Sequence, residues 1–212
     1  MKALRIAALC LLSWLLLSSC SHNLVKKDQD KDMKNEVFEA VCLSENSYWV
    51  LKAPTDFKHL KDDLIVLEGS PENAKAGERY AFTLGSDLIR ETYPPQADGA
   101  SFEKLAGNCD PILTDMEHGL SIAAHLPTRS QLIDVRTAEE YAAGHLPGSV
   151  NIDVNSLEAQ LDESFPAMDE IYLVYCRSGR RSAIAAGILK ERGCALVFDL
   201  GGIQDYRGEL EY

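Results

Sequence analysis

The sequence predicts an α/β domain over residues 110–212, with a mostly parallel sheet flanked by helices, preceded by a small β-rich domain over residues 37–109. Three observations predict it. From about Asp110 onward, short apolar β-type runs alternate with segments of helical spacing, the pattern of a parallel sheet with crossover helices. From Val37 to Cys109, β-type runs recur between turn signals with no helical spacing, which suits a small sheet or barrel. The segment Cys176-Arg177-Ser178-Gly179-Arg180-Arg181 joins a strand to a helix, where open α/β sheets place their ligand sites.

The chain begins with a basic stretch, Met1 to Arg5, followed by Ile6 to Leu17, which is almost wholly apolar. This predicts a secretory signal over residues 1–19, too short to span a bilayer as a helix. Leu17-Ser18-Ser19-Cys20 resembles a bacterial lipobox. The resemblance implies cleavage before Cys20 and acylation of that residue (palmitate among the chains), hence a lipid-anchored, periplasm-facing envelope protein. Several acyl chains anchor stably where one does not. Ser21 in place of Asp leans, by the lipoprotein sorting pattern, towards the outer membrane. Residues 20–36 then read as the lipidated cysteine and a flexible tether, charged and with little to bury.

In the β-rich region the strand-like runs are Val37 to Leu43, Tyr48 to Leu51, Leu64 to Leu67 and Tyr80 to Leu84. Ser44 to Ser47, Gly69-Ser70-Pro71 and Gly85-Ser86-Asp87 separate them as turns. Pro94-Pro95 is read as leading into a loop or an irregular final segment. Tyr48 and Trp49 are expected in a core, and His59, between Lys58 and Lys61, at the surface.

In the second half, Leu132 to Val135 is a strand and Ala138 to Ala142 a short helix, with Glu139 and Glu140 suiting its N-terminal dipole. Gly148 to Ile152 is a short strand and Asn155 to Leu161 a helix. Ile171 to Tyr175 is a buried strand. Ser182 to Arg192 is a helix with Ile184, Ala185, Ile188 and Leu189 on one face, stopped by Gly193. Ala195 to Phe198 is the last strand, and a short helix follows Gly201-Gly202.

Cys176 therefore leaves a strand and faces the start of a helix, where N–H groups point outward and the dipole favours an anion. Arginines in a first helical turn are unfavourable by roughly 0.3–1 kcal/mol each. A local rule broken without local gain marks a functional site. An anion in the loop removes the conflict, whether a thiolate or an anionic substrate, and the thiol pKa should fall.

Here the sequence resembles the single-domain rhodanese (thiosulfate sulfurtransferase) family, from about Met116 to Leu210. The resemblance rests on Leu132-Ile133-Asp134-Val135-Arg136, on Glu140-Tyr141 followed by Gly144 to Ile152, on the Cys176 to Arg181 loop, and on Gly201-Gly202. It implies transfer of sulfane sulfur from thiosulfate or a similar anionic donor to a thiol or other thiophilic acceptor, possibly a protein in the envelope. Cys176 would be the nucleophile and persulfide carrier. Arg177, Ser178, Gly179, Arg180 and Arg181 would bind the substrate through backbone N–H groups and guanidinium ions. Asp134, Arg136 and His145 are read as structural residues near the site. Relatives often carry an aromatic residue and a Trp after the glycine pair; this chain has Ile203 and Tyr206.

Two other functional classes fit the residues less well. Phosphatases and arsenate reductases of the related fold use five residues between Cys and Arg, and here four separate Cys176 from Arg181. A non-catalytic envelope binding or docking protein would leave the cysteine and the basic loop without a purpose. Cys-x-x-Cys exchange is excluded by the loop's single cysteine. Of the remaining cysteines, Cys194 reads as a buried small hydrophobe, and Cys42 with Cys109 as a disulfide candidate in an exported protein. The scattered histidines show no metal-ligand spacing, and no cofactor motif is present. The 212 residues carry a net charge of −12; loss of residues 1–19 takes Lys2 and Arg5, leaving 19 basic against 33 acidic residues, or −14. Such a charge argues against nucleic acid.

Overall fold

Side-chain alternation in the strands explains the architecture. In the computed structural model, which describes residues 36–85, 89–126, 130–164 and 170–212, the described residues fall in one compact unit, Met33–Tyr212. The expected signal segment, Cys20 and the tether up to residue 35 lie outside the described residues.

Strands β1 (Phe38–Ser44), β2 (Ser47–Lys52), β3 (Leu64–Glu68), β4 (Arg79–Leu84) and β5 (Gln96–Lys104) close into a barrel in the order β1-β2-β3-β5-β4. Only the β3–β5 pair is parallel. Strand side chains alternate between faces. Phe38, Ala40, Cys42, Tyr48, Val50, Ile65 and Leu67 therefore fill the barrel, while Val41, Leu43, Trp49 and Leu64 point outward into a second core. Both faces of β1 are buried, which is why its sequence is nearly continuous in apolar residues. By contrast β4 has one covered face, and Tyr80, Phe82 and Leu84 alternate with half-buried neighbours.

The segment after Pro94-Pro95 differs from expectation. It is β5, the longest barrel strand, and it closes the barrel by pairing with β3 and β4. Its residues, Gln-Ala-Asp-Gly-Ala-Ser-Phe-Glu-Lys, carry a weak β signal, so only the two flanking ladders define it. Gly99 is needed there: a Cβ would stand 2.5 Å from the Phe102 ring.

The second sheet is built from β6 (Ile112–Leu113), β7 (Ser130–Asp134), β8 (Val150–Asn151), β9 (Ile171–Cys176) and β10 (Leu196–Gly202). Their order is β6-β10-β9-β7-β8, and every pair is parallel. The helices are α1 (Met116–Ala123), α2 (Ala138–Ala142), α3 (Val154–Ser164) and α4 (Arg180–Glu191), with a 3-10 turn at Ile203–Asp205. Central strand β9 is buried at all six positions. Its Tyr172, Val174 and Cys176 face α3 and α4, and its Ile171, Leu173 and Tyr175 face the core shared with α1 and the barrel. Trp49 of the barrel meets Phe198 of β10 edge-on at 5.4 Å. The barrel thus covers the sheet face that α3 and α4 leave open. Helix α1 lies in a stretch read without a helix; Asp115 caps it, accepting from the His118 N–H at 2.8 Å.

The expected Cys42–Cys109 disulfide is absent, and both thiols are free. Cys42 points into the barrel, whereas Cys109 packs against the core outside the barrel wall. Strand alternation turns the Cys42 sulfur away from that core, towards the Ser44 carbonyl at 3.2 Å.

Candidate active site

Cys176 is the last residue of β9 and is 1% exposed. Gly179 then adopts φ 92°, ψ −24°, a conformation that residues with a Cβ rarely hold, and caps α4. That turn aims the Gly179 N–H at the Cys176 Sγ, 3.1 Å away. The loop is pinned by the 3-10 turn that follows β10 and by the first turn of α4. Gln204 N–H donates to the Arg177 carbonyl at 3.1 Å, and the buried Ser182 hydroxyl donates to the Gly179 carbonyl at 2.9 Å. Gly202 permits the approach, since a Cβ there would stand 2.7 Å from both the Arg177 oxygen and the Ser178 Cα.

Burial pushes the Cys176 thiol up, but the N–H groups of Ser182, Ser178 and Arg181, together with the Ser182 hydroxyl, outweigh it, so its pKa falls below the ordinary value. The other described thiols move the opposite way. Burial raises Cys42 to about 12 and Cys109 and Cys194 to about 11. Cys194 is remote from Cys176: it precedes Leu196, which pairs with Ile171, five residues before Cys176. At about 3.3 Å per residue that is roughly 16 Å along the sheet.

The three loop arginines differ. Arg181 makes a bidentate ion pair with Glu140 at 2.6 and 2.8 Å. Arg177 and Arg180 are exposed, and no ion pair involves them among the described residues. Sequence reasoning placed Glu140 at the helix dipole and in a family motif, but gave it no partner. Its place in a capping box, with Thr137 three residues before, was a further signal that its carboxylate is fixed. The pairing with Arg181, 41 residues away, is visible only in the fold. Ser182 was missed in the same way.

Asp134, at the end of β7, is fully buried. It accepts from the Arg136 backbone N–H and Nε at 2.9 Å and from Nη2 at 2.6 Å. Arg136 Nη2 also donates to the Gly144 carbonyl at 2.7 Å, tying the strand end to the next turn. His145 stacks on Tyr141 with ring centroids 3.7 Å apart, and its Nδ1 lies 3.0 Å from the Tyr141 carbonyl. Its backbone pairs with Glu211. These three residues brace the turn beside the loop, with no hydrogen bond to the sulfur.

A cavity of about 300 Å³ opens next to the loop, lined by Arg136, Glu140, Gly144, Arg177, Ile203 and Leu210 among others. Among the described residues, no cluster of three or more His, Cys, Asp or Glu is placed to hold a metal ion, and no helix is long and apolar enough to cross a membrane. The site thus presents a thiol with a lowered pKa, a ring of N–H donors and two guanidinium groups without an ion pair among the described residues. Such a site suits nucleophilic attack on an anionic substrate.

Comparison with known proteins follows the same residues. The family model of the rhodanese-like domain matches residues 121–209. The chain is 36% identical over 73 residues to the thiosulfate sulfurtransferase PspE of Escherichia coli, covering 34% of this chain and 70% of that protein. It is 35% identical over 77 residues to the human thiosulfate:glutathione sulfurtransferase, covering 31% and 67%. Against YrkF of Bacillus subtilis it is 40% identical over 81 residues, 38% of this chain but only 43% of that protein's length. Among solved structures, a rhodanese with anions from E. coli is 32% identical, with a TM-score of 0.36, covering 39% of this chain and 96% of that one.

Proposed function

Because the chain belongs to the rhodanese-like family, we propose that it is a sulfurtransferase carrying sulfane sulfur as a Cys176 persulfide, tethered to the bacterial envelope by lipid on Cys20. The observation that carries this reading is the Cys176 sulfur, buried yet lowered in pKa by the loop around it. The names of the relatives support sulfur transfer in general.

In the proposed cycle the Cys176 thiolate attacks the outer sulfur of thiosulfate. A new S–S bond forms, the bond to the sulfonate sulfur breaks, and sulfite leaves with the electron pair. Cys176 then bears an outer sulfur with one negative charge. The donors that held the thiolate stabilise that charge, and Gly179 permits their close approach. Arg177 and Arg180 bind the donor's oxygens. A thiophilic acceptor attacks the outer sulfur and takes it, returning the electron pair of the broken S–S bond to the Cys176 thiolate. No general base is required, because a thiol is partly ionised near neutral pH and the loop lowers the Cys176 pKa further.

Incubation of the full chain in detergent with thiosulfate, followed by intact mass, tests this. One added sulfur on the parent and none on Cys176→Ser is the expected result. No adduct on the parent would overturn thiosulfate loading. Recovery of residue 1 unprocessed, with no lipid on Cys20 in a bacterial envelope fraction, would overturn the anchor.

A further inference from the structure

Strand β10 gains one residue on its neighbour where it reaches the cysteine loop. Asp199 pairs with Val174 and Gly202 with Cys176, so three steps along β10 match two along β9. This is a β-bulge. It falls at Leu200-Gly201, and Gly201 holds φ 73°. A bulge withdraws an N–H from the ladder, and a withdrawn N–H needs another acceptor. Asp199 supplies it, its Oδ1 accepting the Gly201 N–H at 3.0 Å, two residues on. Asp199 is 6% exposed, in a stretch, Leu196 to Leu200, whose other residues are apolar. A carboxylate at such a position is costly unless it is bonded.

The bulge abuts the loop. Gly201 Cα lies 3.6 Å from where a Cβ on Gly179 would stand, and Gly202 packs on Arg177 and Ser178. The Ser182 hydroxyl is shared between the Gly179 carbonyl at 2.9 Å and the Gly201 carbonyl at 3.3 Å. Gly179 in turn directs its N–H at the Cys176 Sγ, 3.1 Å away. Ser182 is among the groups that lower the Cys176 pKa. At the start of the bulge, the Asp199 carbonyl accepts the Thr114 N–H at 3.0 Å, so the residue is held from both sides.

We infer that Asp199 is a positioning residue for the Cys176 thiolate: by holding the Gly201 N–H it sets the bulge that braces Gly179 and Ser182 beneath the sulfur. The inference rests on the reading of Cys176 as the nucleophile and adds a residue that acts on it through Gly201. Without the carboxylate, the Gly201 N–H loses its acceptor and the chain there can leave positive φ. The Gly201 carbonyl then turns from Ser182, the N–H donors lose their alignment, and the thiolate loses stabilisation relative to the thiol.

The test follows alkylation of Cys176 against pH by peptide mapping, with the full chain in detergent. Asp199→Ala should move the midpoint of the profile to higher pH, so that alkylation below the parent midpoint slows about three- to tenfold, the scale of one hydrogen bond. The plateau at high pH, which reads access to the sulfur, should change less than about twofold. Asp199→Asn keeps an oxygen acceptor for Gly201, and its midpoint should lie at or below that of the parent. Loss of a carboxylate's charge by itself would lower the midpoint, so the direction of the Ala shift separates position from charge. Arg181, which also meets the sulfur, and its partner Glu140 are unaltered in both variants. If Asp199→Ala unfolds, Asp199→Ser serves, its shorter side chain giving a smaller shift in the same direction. A parental or lowered midpoint in Asp199→Ala, or a rise in Asp199→Asn as large as in Asp199→Ala, would overturn the inference. Failure of the parent to take up sulfur from thiosulfate, read separately by intact mass, would overturn the sulfurtransferase reading and leave the alkylation result standing.

Discussion

Replacing Gly179 with alanine isolates the contribution of backbone conformation to the chemistry of Cys176. The added Cβ meets only ordinary contacts, the nearest being the Gly201 Cα at 3.6 Å, so no clash is expected. The cost arises from φ 92°, which an L-residue holds at about 1–2 kcal/mol. The loop can relieve that strain by turning Gly179 to negative φ, which swings its N–H away from the sulfur 3.1 Å distant. A hydrogen bond to a charged group contributes about 1.5–3 kcal/mol. At a pH below the parent's thiol pKa, its loss lowers the thiolate population roughly ten- to a hundredfold. The assay is the rate of Cys176 alkylation against pH, read by intact mass, beside equilibrium unfolding. The variant should lose about 1–2 kcal/mol of stability if the loop keeps its shape, or show a right-shifted alkylation profile if it relaxes. A variant with parental stability and a parental pH profile would refute the link between this glycine and the thiolate.

Other outcomes follow from the same geometry. Asp134→Ala leaves the Arg136 guanidinium buried without its carboxylate, so stability should fall by about 3–5 kcal/mol, seen as a drop in Tm of about 10 °C or more in a thermal scan. Hydrogen bonding from Arg181 holds the Glu140 carboxyl down at about 2, and Lys104 does the same for Glu78. A depressed carboxyl contributes stability above its unfolded pKa near 4.5 and loses it as pH falls through about 2. Glu140→Gln should therefore flatten the acid limb of the unfolding free energy between those values, and an unchanged limb would count against the pair. Of the four described cysteines, Cys176 alone should alkylate rapidly in the native protein near pH 7, because burial raises Cys42, Cys109 and Cys194 to about 11–12. Peptide mapping that finds Cys42 joined to Cys109 would contradict the barrel geometry.

The parts of the site that are local in sequence were legible. Ile171 to Cys176 is apolar at each position but the last, and Gly179 precedes the first helical turn, so the strand, turn and helix could be placed from pattern alone. Asp134 and Arg136 are two residues apart and were read as scaffold; the buried ion pair fits that role. What escaped was what depends on distant partners. Glu140 and Arg181 meet across 41 residues, and no periodicity encodes the pairing. The apolar run of β1 announced burial on two faces, but not that the outer face would meet Phe198 and α1 across a shared core. β5 was misread because its polar residues follow from closing a barrel between two ladders, a tertiary demand that overrides weak local propensity. The disulfide expectation failed for a related reason. Cysteine counting ignores the face of a strand, and Cys42 sits on the inner one.

The distribution of charge around the loop bears on how an acidic chain would take an anionic donor. The net charge of −12 belongs to the whole surface, and screening confines its influence to about 8 Å at physiological ionic strength. At the loop, Arg136 and Arg181 are paired with Asp134 and Glu140, whereas Arg177 and Arg180 have no ion pair among the described residues. The first two cations therefore fix the loop and the last two remain available to a ligand. The same division explains why a helix tolerates arginines at its first two positions. Arg181 carries its own counter-ion in Glu140 and also interacts with the Cys176 sulfur, and Arg180 is exposed to solvent. In the proposed cycle that negative charge never leaves the loop. It begins on Cys176, passes to the outer sulfur, and returns, so a cradle built for the thiolate serves the persulfide without rearranging.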